Sequence, residues 1–139
     1  MIIGYTTGVF DLFHIGHLNI LRKSKEQCDF LIVGVATDDL VYSLKKKRPV
    51  VPYLERAEIV ENIKYVDKVI AQEKIDELFD FQKYRFNKIF KGSDWCGSEK
   101  WIILEKEFSR YNVEVIFFDY TKTTSSTLIR KALETLFEC

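Results

Sequence analysis

The chain has 139 residues, 47% hydrophobic and 30% charged, with 21 basic residues balanced by 21 acidic ones. That length suits a single domain, 1–139, burying about two-thirds of its unfolded surface, and the balanced charge argues against a nucleic-acid or membrane-surface binder. The longest apolar run, Phe30 to Ala36, is far too short to cross a bilayer, and the N-terminus lacks the charged and apolar regions of a leader.

A first strand is predicted over 2–6. It leads into Gly8-Val9-Phe10-Asp11-Leu12-Phe13-His14-Ile15-Gly16-His17, which contains both histidines of the chain, and then into a helix over 17–27. A strand, a glycine-containing turn and a helix opening on two imidazoles is a layout for holding an anion, because free backbone N–H groups and the positive end of the helix dipole converge there. A strand over 30–36 follows, then Asp38, then a loop over 44–53 that carries Lys45-Lys46-Lys47-Arg48 and is bracketed by Pro49 and Pro52. A helix is predicted over 54–62, a strand over 68–71, a helix over 75–84 and a strand over 88–91. The turn Gly92-Ser93-Asp94-Trp95-Cys96-Gly97 precedes a helix over 99–111 and a strand over 113–118. Tyr120 to Thr127 then places seven hydroxyl side chains, six of them serine or threonine, before and at the start of a last helix over 126–137.

Strands separated by helices pair in parallel through right-handed crossovers, so the fold class expected is α/β, a Rossmann-like open parallel sheet with helices on both faces. Ligands of such sheets bind beyond the carboxyl ends of the strands, where the chain order reverses. The histidine motif occupies that position after the first strand, and the hydroxyl-rich element after the last. Two phosphate cradles facing one cleft suit a polyphosphate. A metal centre needs three or four ligands, and two histidines without further partners do not supply them, so no metal-ligating residues are assigned. Three widely spaced cysteines, Cys28, Cys96 and Cys139, fit free thiols in a reducing compartment, hence a cytoplasmic location. Asp38 and Asp94, in loops after strands, are candidates for holding a ribose or base. If the basic loop folds over a triphosphate, Lys46 and Arg56 become charge clamps.

The first motif resembles the G-T-F-D-x-x-H-x-G-H motif of the cytidylyltransferase-like nucleotidyltransferases, and Tyr120 to Thr127 resembles their R-T-x-G-I-S-T-T element. Ala36-Thr37-Asp38, the lysine loop, Tyr53-Leu54-Glu55-Arg56, Tyr65-Val66-Asp67 and Gly92-Ser93-Asp94-Trp95 extend the likeness over nearly the whole chain. Length and the Asp94-Trp95 segment bring it nearest to the glycerol-3-phosphate cytidylyltransferases. The resemblance implies a nucleotidyltransferase fold of the α/β phosphodiesterase type, usually a homodimer. It further implies joining of CTP, with Mg2+, to a phosphorylated small alcohol such as glycerol 3-phosphate, giving CDP-glycerol for a surface polymer and releasing pyrophosphate.

Carried over residue by residue, Gly8, Val9 and Phe10 line the nucleotide site, and His14 and His17 donate to the triphosphate. Lys46 bridges the α-phosphate and the incoming phosphate, and Lys45 touches the acceptor. Arg56 and Asp94 help hold the nucleotide, and Tyr120, Thr121, Ser125, Ser126 and Thr127 hold phosphates and base. Four positions depart from the pattern: Val9 replaces a threonine, Tyr120 replaces an arginine, for which Lys122 is a partial substitute as a point charge, and Thr123-Thr124 replace glycine and isoleucine. These leave open adenylyl or cytidylyl transfer to phosphoethanolamine, a sugar phosphate or a flavin, and a nucleotide-binding regulator without turnover.

Overall fold

The computed structural model describes residues 1–121 and 123–137. Five parallel strands form one sheet in the order β3-β2-β1-β4-β5: β1 (Ile3–Gly8), β2 (Phe30–Ala36), β3 (Lys68–Gln72), β4 (Lys88–Gly92) and β5 (Glu114–Phe118). The chain runs outward from β1 to β3, crosses back to β4 and ends at β5. The switch point, where a ligand crevice opens, therefore lies between the ends of β1 and β4.

Side-chain alternation along the strands divides the core in two. On one face Tyr5, Ile32 and Ile89 pack with Phe81 of α4 (Glu77–Tyr84), Phe86 just after it, and Trp101, Leu104 and Phe108 of α5 (Glu99–Ser109). On the other, Leu31, Val33, Val35 and Phe90 pack with Leu21 of α1 (Ile15–Glu26) and Val60 of α3 (Tyr53–Glu61). The doubly covered parallel sheet is the one expected. The last helix, α6 (Ser126–Phe137), has the predicted bounds, but none of its residues 126–136 is buried.

One element differs from expectation. Residues taken as the approach to a loop form a further helix, α2 (Asp38–Lys45), so the loop shrinks to 46–52. Thr37 caps α2, its hydroxyl accepting from the Leu40 N–H at 3.2 Å, and Leu40 and Val41 bury the inner side. Eight residues give barely two turns, too few to stand out as a helical period, whereas the cap and the acidic first turn were the readable signal.

Arg56 is a correction. Expected as a clamp on the nucleotide, it is 1% exposed and ties the β1, β2 and loop ends together. Its guanidinium donates to the carbonyls of Val51 (2.8 Å), Val9 (2.7 Å) and Ala36 (2.8 Å) and to the Asp38 carboxylate (2.7 Å). Asp38 is used likewise, accepting from Arg56 and from the Tyr53 N–H at 3.2 Å rather than facing a ribose. Burial opposes the Asp38 charge, but Arg56 and the Tyr53 N–H outweigh it and hold the carboxyl below its ordinary range. The planar fork explains the choice of arginine, since four acceptors in four directions exceed what one ammonium can reach. Arg56→Met strands these acceptors and should lower the thermal midpoint by about 10 °C or more. Arg56→Lys should recover only a small part of that loss, as read by calorimetry.

Candidate functional site

Beyond Gly8 the backbone turns sharply, with Phe10 (φ 55°) and Leu12 (φ 51°) both left-handed. Each such non-glycine conformation costs about 1–2 kcal/mol. The surroundings hold it in place. Phe10 inserts into the core beside Leu21 and Phe90, and between the two strained residues Asp11 points inward, 3% exposed. The Asp11 carboxylate accepts from the Val50 and Val51 N–H groups at 2.8 and 2.9 Å and from Arg130 at 3.1 Å. Its carbonyl accepts from the Ser126 hydroxyl at 2.6 Å. One residue thus fastens the basic loop and the start of α6 to the histidine motif.

The two histidines build the start of α1. His14 is its N-cap, and its Nδ1 accepts from the Gly16 N–H at 3.0 Å. His17 Nδ1 accepts from the His14 N–H at 3.2 Å. A Cβ on Gly16 would come within 2.7 Å of the His14 ring, so only glycine permits this cap. With both Nδ1 atoms used as acceptors, each ring carries its proton on Nε2 and offers that N–H outward. The rings stack at 4.0 Å, and Phe10 and Phe13 lie 5.4 and 5.2 Å from His17. Burial, reinforced by His14 and opposed by Asp11, lowers the His17 pKa to about 4, and burial lowers that of His14 as well. The pair is neutral at physiological pH, a donor set for an anion and not a proton reservoir.

Two hollows open on this motif. The larger, about 700 Å³, runs between the β1 end, the basic loop and α6; Gly8, Val9, Phe10, Lys45, Thr127 and Arg130 line it. The smaller, about 260 Å³, lies between α1 and the segment after β5, with His14, Tyr120, Thr121 and Ser125 on its walls. His17, Ile20 and Ser126 border both. Ser125 caps α6, its hydroxyl accepting from the Leu128 N–H at 3.1 Å, and Thr121 accepts from Asn19 at 3.0 Å. Tyr120 lies over Gly92, where a Cβ would sit 2.9 Å from its hydroxyl. Burial and the Asp94 carboxylate push that hydroxyl up to about 12, so Tyr120 is a neutral hydroxyl where the family pattern has a cation.

The expected residues therefore separate. Asp94, on an exposed 3-10 turn (Ser93–Trp95), borders neither hollow and reaches the site only beside Tyr120. Lys46, expected as the bridging lysine, ends α2 in a left-handed conformation (φ 59°) and borders neither hollow, its ammonium 3.4 Å from the Ser43 carbonyl. Lys45 and Lys47 on either side, with Arg48, line the larger hollow instead. The αL residue that stops the helix turns Lys46 away from its neighbours. Lys122 lies outside the described residues. Asp11, Arg130 and Asn19 had no assigned role in the sequence. For Arg130 the available signal was its spacing, four residues after Ser126 and so on the same helix side.

Among the described residues no group of three or more His, Cys, Asp or Glu side chains gathers as a metal site, and no helix is long and apolar enough to cross a membrane. The sequence profile of the family described as cytidylyltransferase-like matches residues 5–132. The chain is 34% identical over 132 residues to a glycerol-3-phosphate cytidylyltransferase of Staphylococcus aureus, covering 92% of each chain. It is 36% identical to an FAD synthase of Archaeoglobus fulgidus, covering 92% of this chain and 95% of that one. Among solved structures, a lipopolysaccharide core biosynthesis protein from Thermoplasma volcanium superposes with a TM-score of 0.72 at 27% identity, over 89% of this chain and 99% of that one.

Two outcomes follow from the geometry. The unfolded chain takes up protons on its histidines as pH falls below about 6.5, while folded His17 resists until about 4, so the pair removes stability across that window. NMR titration should find the His17 midpoint near 4, with that of His14 displaced below its ordinary value. Along the rim of the larger hollow, Lys45→Ala at the end of α2 and Lys47→Ala in the loop should each reduce turnover by about tenfold or more, and Lys46→Ala by less, in a pyrophosphate-release assay.

Proposed function

Since this chain belongs to the cytidylyltransferase-like family of nucleotidyltransferases, we propose that it transfers CMP from CTP to the phosphate of glycerol 3-phosphate, releasing pyrophosphate. The observation that carries the reading is the position of His17 and Ser126 on the border of two hollows, one rimmed by cations and one walled by hydroxyls. A triphosphate in the smaller hollow brings its α-phosphate to that border and an acceptor phosphate enters from the larger one, so Gly8, Val9 and Phe10, expected around the nucleotide, border the acceptor in this reading.

An oxygen of the acceptor phosphate attacks the α-phosphorus in line, and the bond from that phosphorus to the bridging oxygen of the β-phosphate breaks. Pyrophosphate leaves with both electrons of that bond. The acceptor is already an anion, so no general base is needed, which agrees with imidazoles held neutral. The Nε2–H groups of His14 and His17 donate to non-bridging oxygens as charge builds on the transferring group. Lys45, Lys47 and Arg48 offset the repulsion between two phosphates. Mg2+, counted with the nucleotide as part of the substrate and given no ligating side chain, would supply neutralisation of charge on the leaving pyrophosphate. The same reading makes the protein a homodimer in the cytoplasm, serving surface-polymer synthesis.

The lining of the larger hollow favours a second acceptor. Val9, Phe10, Val41, Pro49, Val50 and Leu133 make much of it apolar. That surface suits a phosphate ester with a bulkier apolar body, such as flavin mononucleotide, better than bare glycerol.

Purified protein with Mg2+, CTP or ATP and a panel of phosphorylated acceptors decides between them. Mass spectrometry should find CDP-glycerol with CTP and glycerol 3-phosphate, and a flavin dinucleotide product would move the assignment to the second acceptor. His17→Ala should lower kcat by about 10²–10³ with a smaller effect on nucleotide affinity. Absence of pyrophosphate release with every pairing of nucleotide and acceptor would leave a nucleotide-binding regulator.

A further inference from the structure

Among the described residues, the smaller hollow is lined by hydroxyls, two helix N-termini and neutral imidazoles, with little formal positive charge. Tyr120 stands where the family pattern has an arginine, and its hydroxyl end packs against Gly92 as a neutral group. Among the described lining residues Lys23 is the one cation and Asp119 the one carboxylate. A triphosphate carries up to four negative charges, and hydrogen-bond donors alone hold such a group less strongly than donors assisted by a full charge.

Lys23 is placed to supply it. Gly16, Asn19, Ile20 and Lys23 follow one another along one side of α1 and all border the hollow. The Lys23 ammonium lies 6.0 Å from the centroid of Phe118, the last residue of β5, and Phe118 is itself stacked on Phe90 at 5.6 Å. One turn earlier Asn19 donates to the Thr121 hydroxyl at 3.0 Å while accepting from Arg22 at 2.7 Å. That relay fixes the segment carrying Tyr120 against the helix side that carries Lys23. An aromatic face attracts the ammonium without offering it a counter-charge, so the cation stays available to an entering phosphate.

We propose that Lys23 is a nucleotide-binding residue that contacts the phosphates beyond the α-position, supplying from α1 the charge that Tyr120 does not supply from the opposite wall. This rests on the reading of the smaller hollow as the triphosphate site. It makes Lys23 a determinant of triphosphate affinity, distinct from the lysines of the loop, which border the acceptor side.

Titration calorimetry of CTP and CMP, and of ATP and AMP, on the folded full chain tests it without requiring turnover. Lys23→Met should weaken triphosphate binding by about tenfold while changing monophosphate binding by less than about twofold. Lys23→Arg should retain affinity, and Tyr120→Arg placed in the Lys23→Met background should restore it. Unchanged triphosphate binding in Lys23→Met, or equal losses for tri- and monophosphate, overturns the proposal. A wild-type chain that binds triphosphates but forms no product with any acceptor defeats the enzymatic reading and leaves this one standing. Binding of neither triphosphate by the wild type defeats both.

Discussion

The buried carboxylate of Asp11 is the tie on which the site depends. It sits between two left-handed residues, and the strain there is offset by what the inward turn makes available: two N–H bonds from the basic loop and an ion pair with α6. Asp11 brings residues 50 and 126 to the same edge of the histidine motif, with Arg56 adding a second link from Val51 to Val9. Helix α6 has no buried residue along 126–136, so its placement rests on the Asp11 contacts to an unusual degree. Arg56 performs the matching task below, holding the strand ends from which the motif departs.

These two anchors separate fixing from binding. Arg56 and Asp38 are charged residues near a nucleotide site, yet their hydrogen-bonding capacity is largely consumed by the scaffold. The groups left to meet a ligand are the outward Nε2–H donors, the hydroxyls of the last element and the cations of the loop and of α1. A helix N-terminus favours neutral imidazole, and the aromatic box around His17 strengthens that preference. The same packing that orients the donors also removes them from proton transfer, and phosphate-on-phosphate chemistry loses nothing by it.

The departures from the family pattern also acquire physical meaning. Val9 borders the cluster of Ala36, Leu40 and Val41 and gives its carbonyl to Arg56, so the missing hydroxyl is replaced by apolar packing on α2. Tyr120 exchanges a guanidinium for a phenol whose hydroxyl end packs against Gly92. Among the described residues that line the smaller hollow, Lys23 is the one cation.

The alternation of apolar strands and helical periods was enough to determine the parallel sheet, its two covered faces and the place of the ligand crevice, because burial and period 2 or 3.6 are properties of local sequence. The spacing of Gly16, His14 and His17 likewise determined a histidine-capped helix start, since cap and helix lie within one turn of chain. The short α2 escaped because two turns hardly register as a period, and its αL stop at Lys46 decided which lysines face the cleft. Whether Arg56 and Asp38 serve ligand or scaffold, and that Asp11 joins segments 39 and 119 residues away, only the tertiary structure decided. A charged residue carries the same letters whether its bonds are spent on distant carbonyls or left for a phosphate, and only the folded chain fixes which partners come within reach.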